Sequence, residues 1–255
     1  MTALARRTLM TGMAGLPLAA VLADPRLAAM AAESLESVTT KTADGRDEQA
    51  ALALPAKTPA PAVLLVHEWW GLNDQIKSVA AELANNGFLA LGVDLYEGKV
   101  ASDPATAKTL MDGVDPAKAI ATLNAWVAWL KADKRATGKV ATIGWCFGGG
   151  WSLNASLANP VDATVVYYGK VDESAQELAP LKGPVLGHFA ERDKWINKKM
   201  VEGFAAAMKQ AGKSLEYYEY PADHAFANPT GQNYDKEDAQ TAWQRTLAFL
   251  RKNLG

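Results

Sequence analysis

From Ala62 onward the chain alternates short runs of apolar, often β-branched residues with longer stretches in which apolar positions recur at helical spacing. That alternation predicts βαβ units and a mostly parallel sheet. Strands are expected at Val63–Val66, Phe88–Leu95, Val140–Trp145, Ala163–Tyr168, Val185–Ala190 and Leu215–Tyr220. Between them, Ile76, Val79, Ala80 and Leu83 form one apolar stripe and Ile120, Leu123, Val127 and Leu130 another, so both segments are expected to be core-facing helices. Trp243, Leu247, Leu250 and Leu254 mark a last helix, and a further one is expected from Trp195 to about Gln210, ending at Gly212. Asp103-Pro104 and Asp115-Pro116 are helix starts. No proline-, glycine- or serine-rich linker and no internal repeat interrupts this pattern, so one α/β domain is the economical reading.

The first 31 residues follow a different pattern. Arg6-Arg7 precedes a weakly apolar run, Thr8–Ala23, and Ala29-Met30-Ala31 fits the small-x-small rule for signal cleavage. The run is too short and too diluted by Gly12, Gly15 and Pro17 to span a bilayer. We expect residues 1–31 to be a cleavable export signal of twin-arginine type, leaving residues 32–255 as a periplasmic domain without a membrane anchor. The competing expectation is an apolar N-terminal helix packed on the domain.

Composition narrows the function. The 255 residues are 49% hydrophobic and 21% charged with a formal charge of −2, which supports a sizeable core and leaves no electrostatic footprint for nucleic acid. A small-molecule partner and a monomer are expected. One cysteine cannot close an internal disulfide, and with three histidines it cannot build a cysteine-rich zinc site. No metal or organic cofactor is expected.

In open α/β sheets the chemistry lies beyond the carboxyl ends of the strands. Strand Val140–Trp145 runs into Gly144-Trp-Cys146-Phe-Gly-Gly-Gly150, after which a helical pattern begins. This is a nucleophile elbow with cysteine in place of serine, in which the backbone N–H of Phe147 would face a developing oxyanion. A lone cysteine is more often a small buried hydrophobe, so context has to decide. After Cys146 only His188 and His224 remain as bases. His188 lies inside an apolar strand and reads as a core residue, whereas His224 lies in the loop past Leu215–Tyr220. Asp193, just past Val185–Ala190, is the expected acid, with Glu191, Asp172 and Asp223 as rivals and helix capping as its bland alternative. His67-Glu68-Trp69-Trp70-Gly71 follows the first buried strand. There Trp69 is the expected second oxyanion donor, Glu68 a carboxylate able to tune the thiol, and His67 a structural residue.

Taken in order, His67-Glu-Trp-Trp-Gly71, Asp94-Leu-Tyr96, Gly144-Trp-Cys-Phe-Gly-Gly149, Asp193 and His224-Ala-Phe226 resemble the dienelactone hydrolase family of α/β-hydrolases, over about Ala62–Leu254. The resemblance implies an α/β-hydrolase fold, a mostly parallel sheet with helices on both faces, and a triad of Cys146, Asp193 and His224. It also implies that Glu68 holds the thiol at rest until substrate displaces it. The implied activity is hydrolysis of a small ester or lactone through a thioester acyl-enzyme, with His224 first accepting and then donating the proton. Trp70, Tyr96, Trp195 and Phe226 are expected to line the substrate pocket. The family's dienelactone-cleaving members grip the substrate carboxylate with arginines after the Asp-Leu-Tyr and His-Ala-Phe motifs. Here those stretches carry Lys99 and Asn228 and no arginine, so a neutral substrate is expected. A non-catalytic binding protein and a thiol redox protein are the rival functions. The intact Cys, Asp and His argue against the first, and the lack of a resolving cysteine against the second.

Overall fold

A computed structural model describes residues 25–255, so Arg6-Arg7 and the Thr8–Ala23 run lie outside the described residues. The chain divides into two compact units, one ending at Lys139 and the other running from Val140 to Gly255. The first comprises α1 (Pro25–Glu33), β1 (Glu36–Lys41), β2 (Asp47–Ala53), β3 (Ala60–Val66), α2 (Asp74–Asn85), β4 (Leu89–Val93), α3 (Pro104–Asp112) and α4 (Pro116–Ala132). Its strands lie in the order β1-β2-β4-β3. The β1/β2 and β2/β4 pairs are antiparallel, and β3/β4 is parallel. Val63–Val66 are wholly buried, as a strand covered on both faces requires. The α2 stripe of Ile76, Val79, Ala80 and Leu83 is buried, and Asn73 caps the helix by accepting from the Ile76 N–H. Asp103 and Asp115 cap α3 and α4, each ahead of a proline at the first helical position.

Two elements here go beyond the expected pattern. The β1–β2 hairpin has few apolar residues to announce it, and β1 alternates half-buried and exposed positions throughout. Helix α1 contains the Ala29-Met30-Ala31 triplet. Its Ala28, Ala31 and Ala32 are buried, it packs on α2, and the Ala28 carbonyl accepts from Ser78 Oγ at 3.1 Å.

The second unit carries β5 (Ala136–Trp145, which begins four residues before the unit does), α5 (Phe147–Ala158), β6 (Ala163–Tyr167), α6 (Ala175–Leu178), β7 (Val185–Ala190), α7 (Lys198–Gln210), β8 (Leu215–Tyr220) and α8 (Lys236–Leu254). Its strands lie in the order β5-β6-β7-β8, all parallel. A core of Leu153, Val166, Leu178, Phe189, Phe204 and Met208 fills the space between sheet and helices. The register aligns Trp145 with Tyr167, Tyr167 with His188, and Ala190 with Tyr220. The carboxyl ends of four neighbouring strands therefore release their loops side by side. Helix α7 starts at Lys198, not Trp195, because Asp193 Oδ1 accepts from the Trp195 and Ile196 N–H groups and folds that stretch into a turn, leaving Asn197 as the cap.

Candidate active site

Cys146 occupies the turn between β5 and α5 with φ 53° and ψ −119°, a conformation L-residues rarely adopt and one that clusters at functional sites. Its N–H donates to the Tyr167 carbonyl at 3.0 Å and its own carbonyl accepts from Gly149 at 3.0 Å, so the strained residue is held from both sides. A Cβ on Gly149 would stand 2.8 Å from Gly169 Cα, so the helix reaches β6 only because the side chain is missing. Phe147 opens α5, where the helix dipole favours negative charge.

His224 and Asp193 come from the loops after β8 and β7. His224 Nδ1 donates to Asp193 Oδ2 at 2.6 Å. The Asp193 side chain is buried, and its second oxygen takes the two turn N–H groups, so it orients an imidazole and caps a turn at once. Burial raises the Asp193 carboxyl, but the His224 bond and charge and the two N–H groups outweigh it and hold the carboxyl below the ordinary range. Burial pushes the His224 imidazole down. Its hydrogen bonds to Asp193 and Cys146 and the negative charge of both prevail, raising it to about 10. The Asp193–His224 hydrogen bond and the Cys146 thiol, which acts on the same imidazole, thus set the three groups in series. Tyr168, at positive φ, sets its ring edge-on against His224 at 5.2 Å, a neighbour that the sequence signals only through the Tyr167-Tyr168-Gly169 strand end. Trp195 is 67% exposed and meets His224 edge-on at 5.1 Å. Phe226 is fully buried behind Tyr168 and Tyr220.

His188 is a buried residue of β7 with both ring nitrogens occupied. Arg245 Nη1 donates to Tyr220 Oη at 3.0 Å, His188 Nδ1 lies 2.9 Å from that hydroxyl, and Nε2 lies 3.0 Å from Thr246 Oγ1. Since arginine only donates, the arrangement that satisfies each group has Tyr220 donating to Nδ1 and Nε2–H donating to Thr246. Burial and the Arg245 charge lower His188 to about 3.

In the first unit, His67 Nδ1 donates to the Glu68 carbonyl at 2.6 Å and Nε2 accepts from the Leu95 N–H at 3.1 Å, which fixes a neutral tautomer. Burial lowers its pKa further. Glu68 is buried at the end of β3, and Trp69 and Trp70 pack edge-on at 5.0 Å. Gly71, at φ 93°, closes this loop against the Lys99 carbonyl. Tyr96 is buried edge-on to His67, and it borders a cavity of about 310 Å³ whose wall also includes Asp94, Glu97, Lys99 and Lys118.

The model of the dienelactone hydrolase family matches residues 49–254 and so runs through both units. The chain belongs to the dienelactone hydrolase family. A Saccharolobus solfataricus relative named "Putative carboxymethylenebutenolidase" is 32% identical over 82% of this chain and 95% of its own. The carboxymethylenebutenolidase of Pseudomonas putida is 27% identical over 84% and 95%. Among solved structures, a Klebsiella pneumoniae protein described as "Putative Dienelactone Hydrolase" is 28% identical with a TM-score of 0.76, covering 86% of this chain and 99% of its own. Family and structural likeness together make the fold that of an α/β-hydrolase and the protein a hydrolase of the dienelactone hydrolase type.

Proposed function

We propose that the protein cleaves a small, uncharged ester or lactone by nucleophilic catalysis from Cys146. The observation that carries this reading is the Cys146–His224–Asp193 series, with the cysteine on a strained elbow and the imidazole raised to about 10. Such a basic imidazole can take the proton that the thiol loses as it attacks. Cys146 Sγ bonds to the acyl carbon, and the oxyanion takes N–H bonds from Phe147 and, in this reading, Trp69. As the C–O bond breaks, His224 Nε2 gives its proton to the leaving alkoxide, which in a lactone stays tethered. Neutral His224 then takes a proton from water, hydroxide adds to the thioester, and the thiolate departs beside a recharged imidazolium. Asp193 keeps Nδ1 protonated throughout and so presents Nε2 to the thiol.

Glu68, a buried carboxylate, fits the resting-state gate implied by the family resemblance. Glu68→Gln should change the pH dependence of Cys146 alkylation, and an unchanged profile would leave it a structural group. Arg6-Arg7 and the apolar run support export to the periplasm. The whole reading is tested by Cys146→Ala, which should abolish turnover of a p-nitrophenyl ester while the protein stays folded. Retained turnover would refute it.

A further inference from the structure

The Asp193–His224 bond is one rung of a longer ladder. In β7 and β8, Ala190 pairs with Tyr220, and the pairing continues past the strand ends: the Glu191 N–H donates to the Tyr220 carbonyl at 2.8 Å and the Arg192 N–H to the Ala222 carbonyl at 3.1 Å. The next contacts are made by the Arg192 side chain. Arg192 Nε donates to Asp223 Oδ2 at 3.1 Å and Nη1 to the Pro221 carbonyl at 2.6 Å. One residue further along each loop, His224 meets Asp193. Both loops are turn and irregular chain here, the Asp193 N–H donating to the Ala190 carbonyl at 3.2 Å, and they set the Arg192–Asp223 pair on the outside and the Asp193–His224 pair on the inside. Both side chains of the outer pair are about half exposed, whereas those of the inner pair are buried or nearly so.

We propose that Arg192 is a positioning residue: it fastens the loop bearing His224 to the loop bearing Asp193 through Asp223 and the Pro221 carbonyl. The inference rests on the proposed roles of Cys146, His224 and Asp193. His224 sits in irregular chain, where Ala225 adopts φ 66° and Asn233 Nδ2 holds the His224 carbonyl from the far side at 2.9 Å. Arg192 is its counterpart on the near side. A guanidinium is needed because a single side chain must serve a carboxylate and a carbonyl at once, which a point ammonium cannot do in fixed geometry. An exposed ion pair contributes little to global stability, so the effect should appear in catalysis and not in folding.

The test is kinetic and spectroscopic. Arg192→Gln should lower kcat on a neutral ester by roughly ten- to hundredfold, the scale of a misplaced catalytic group, with KM little changed and the circular dichroism intact. Asp223→Asn should cost less, because the Pro221 bond remains. Arg192→Lys should stay near the Gln variant. Imidazole NMR should show His224 titrating lower in Arg192→Gln than in the native protein, as its contact with Asp193 loosens. An unchanged kcat with an unchanged His224 titration would overturn the proposal. So would a rise in KM confined to anionic esters, which would make Arg192 a carboxylate receptor. The NMR arm reads the clamp whether or not Cys146 is the nucleophile, and turnover surviving Cys146→Ala would refute the nucleophile and leave that arm standing.

Discussion

Gly144 and Gly148 meet across the elbow so closely that a β-carbon on Gly144 would stand 1.9 Å from the Gly148 carbonyl oxygen. That oxygen is backbone at the start of α5 and cannot rotate away. Gly144→Ala should therefore destabilise the protein by about 3 kcal/mol, the upper end of the range for overpacking, and displace Cys146 from the imidazole. Chemical denaturation and alkylation of Cys146 measure the two effects. A variant with native stability and native thiol reactivity would show that strand and helix need not approach here.

The histidines should make stability peak near their ordinary pKa of 6.5. His188, lowered to about 3, and His67, also lowered, stay neutral in the folded chain while the unfolded chain takes up protons below pH 6.5. His188 should therefore cost up to about 1.4 kcal/mol per pH unit between pH 6.5 and 5, with His67 acting in the same direction. His224 is raised, so its contribution is fully present below pH 6.5 and is lost as pH climbs through about 10. His188→Asn, if it folds, should flatten part of the acid limb and keep its chemistry. His224→Asn should flatten the alkaline limb and lose activity by orders of magnitude. Equal losses of turnover in the two folded variants would leave the base unassigned.

Neutral esters should show higher kcat/KM than matched analogues with a free carboxylate. The stretches after Asp94-Leu-Tyr96 and His224-Ala-Phe226 carry no arginine, and Arg192 already engages Asp223 and the Pro221 carbonyl. A charged hydrogen bond withheld from a buried carboxylate is worth about 1.5–3 kcal/mol, or roughly ten- to hundredfold. A matched ester pair measures this, and preference for the anion would reveal a carboxylate site supplied by other residues.

Much of this fold is legible in the sequence because β3, β4, β6, β7 and the second half of β5 are buried and written as mostly apolar runs, whereas β8, Leu215-Glu-Tyr-Tyr-Glu-Tyr220, is mostly exposed and mixes tyrosines with glutamates. The β1–β2 hairpin escapes because a half-exposed antiparallel pair needs only alternate apolar positions, and Thr39, Thr40 and Gln49 fill many of the rest. Cys146, Asp193 and His224 can be picked out because each lies within four residues of the carboxyl end of a strand, where this fold gathers its loops. The Arg192–Asp223 pair cannot, since its partners are brought together by the β7–β8 register and not by any local pattern.

Helix α1 bears on where an export signal would be cut. The sequence places the cut after Ala31, yet Ala28 and Ala31 are buried and the Ala28 carbonyl is bonded to Ser78. A peptidase needs extended, accessible chain, and a twin-arginine substrate arrives folded. Val21-Leu22-Ala23 also ends small-x-small-fashion just before α1, and a cut there would retain the helix. Mass spectrometry of the exported protein should find Asp24 as its first residue. A mature chain beginning at Ala32 would show that α1 undocks before processing, and an intact Met1 would refute the signal.

The central claim is that the acyl group passes through the sulfur of Cys146. Acid-quenching the protein during turnover of a slow ester, followed by peptide mass spectrometry, reads this directly. The Cys146 peptide should carry the mass of the acyl group, hydroxylamine should remove it, and the adduct should accumulate in His224→Ala if acylation still proceeds. Steady turnover in Cys146→Ala with no adduct on the native Cys146 peptide would contradict the account.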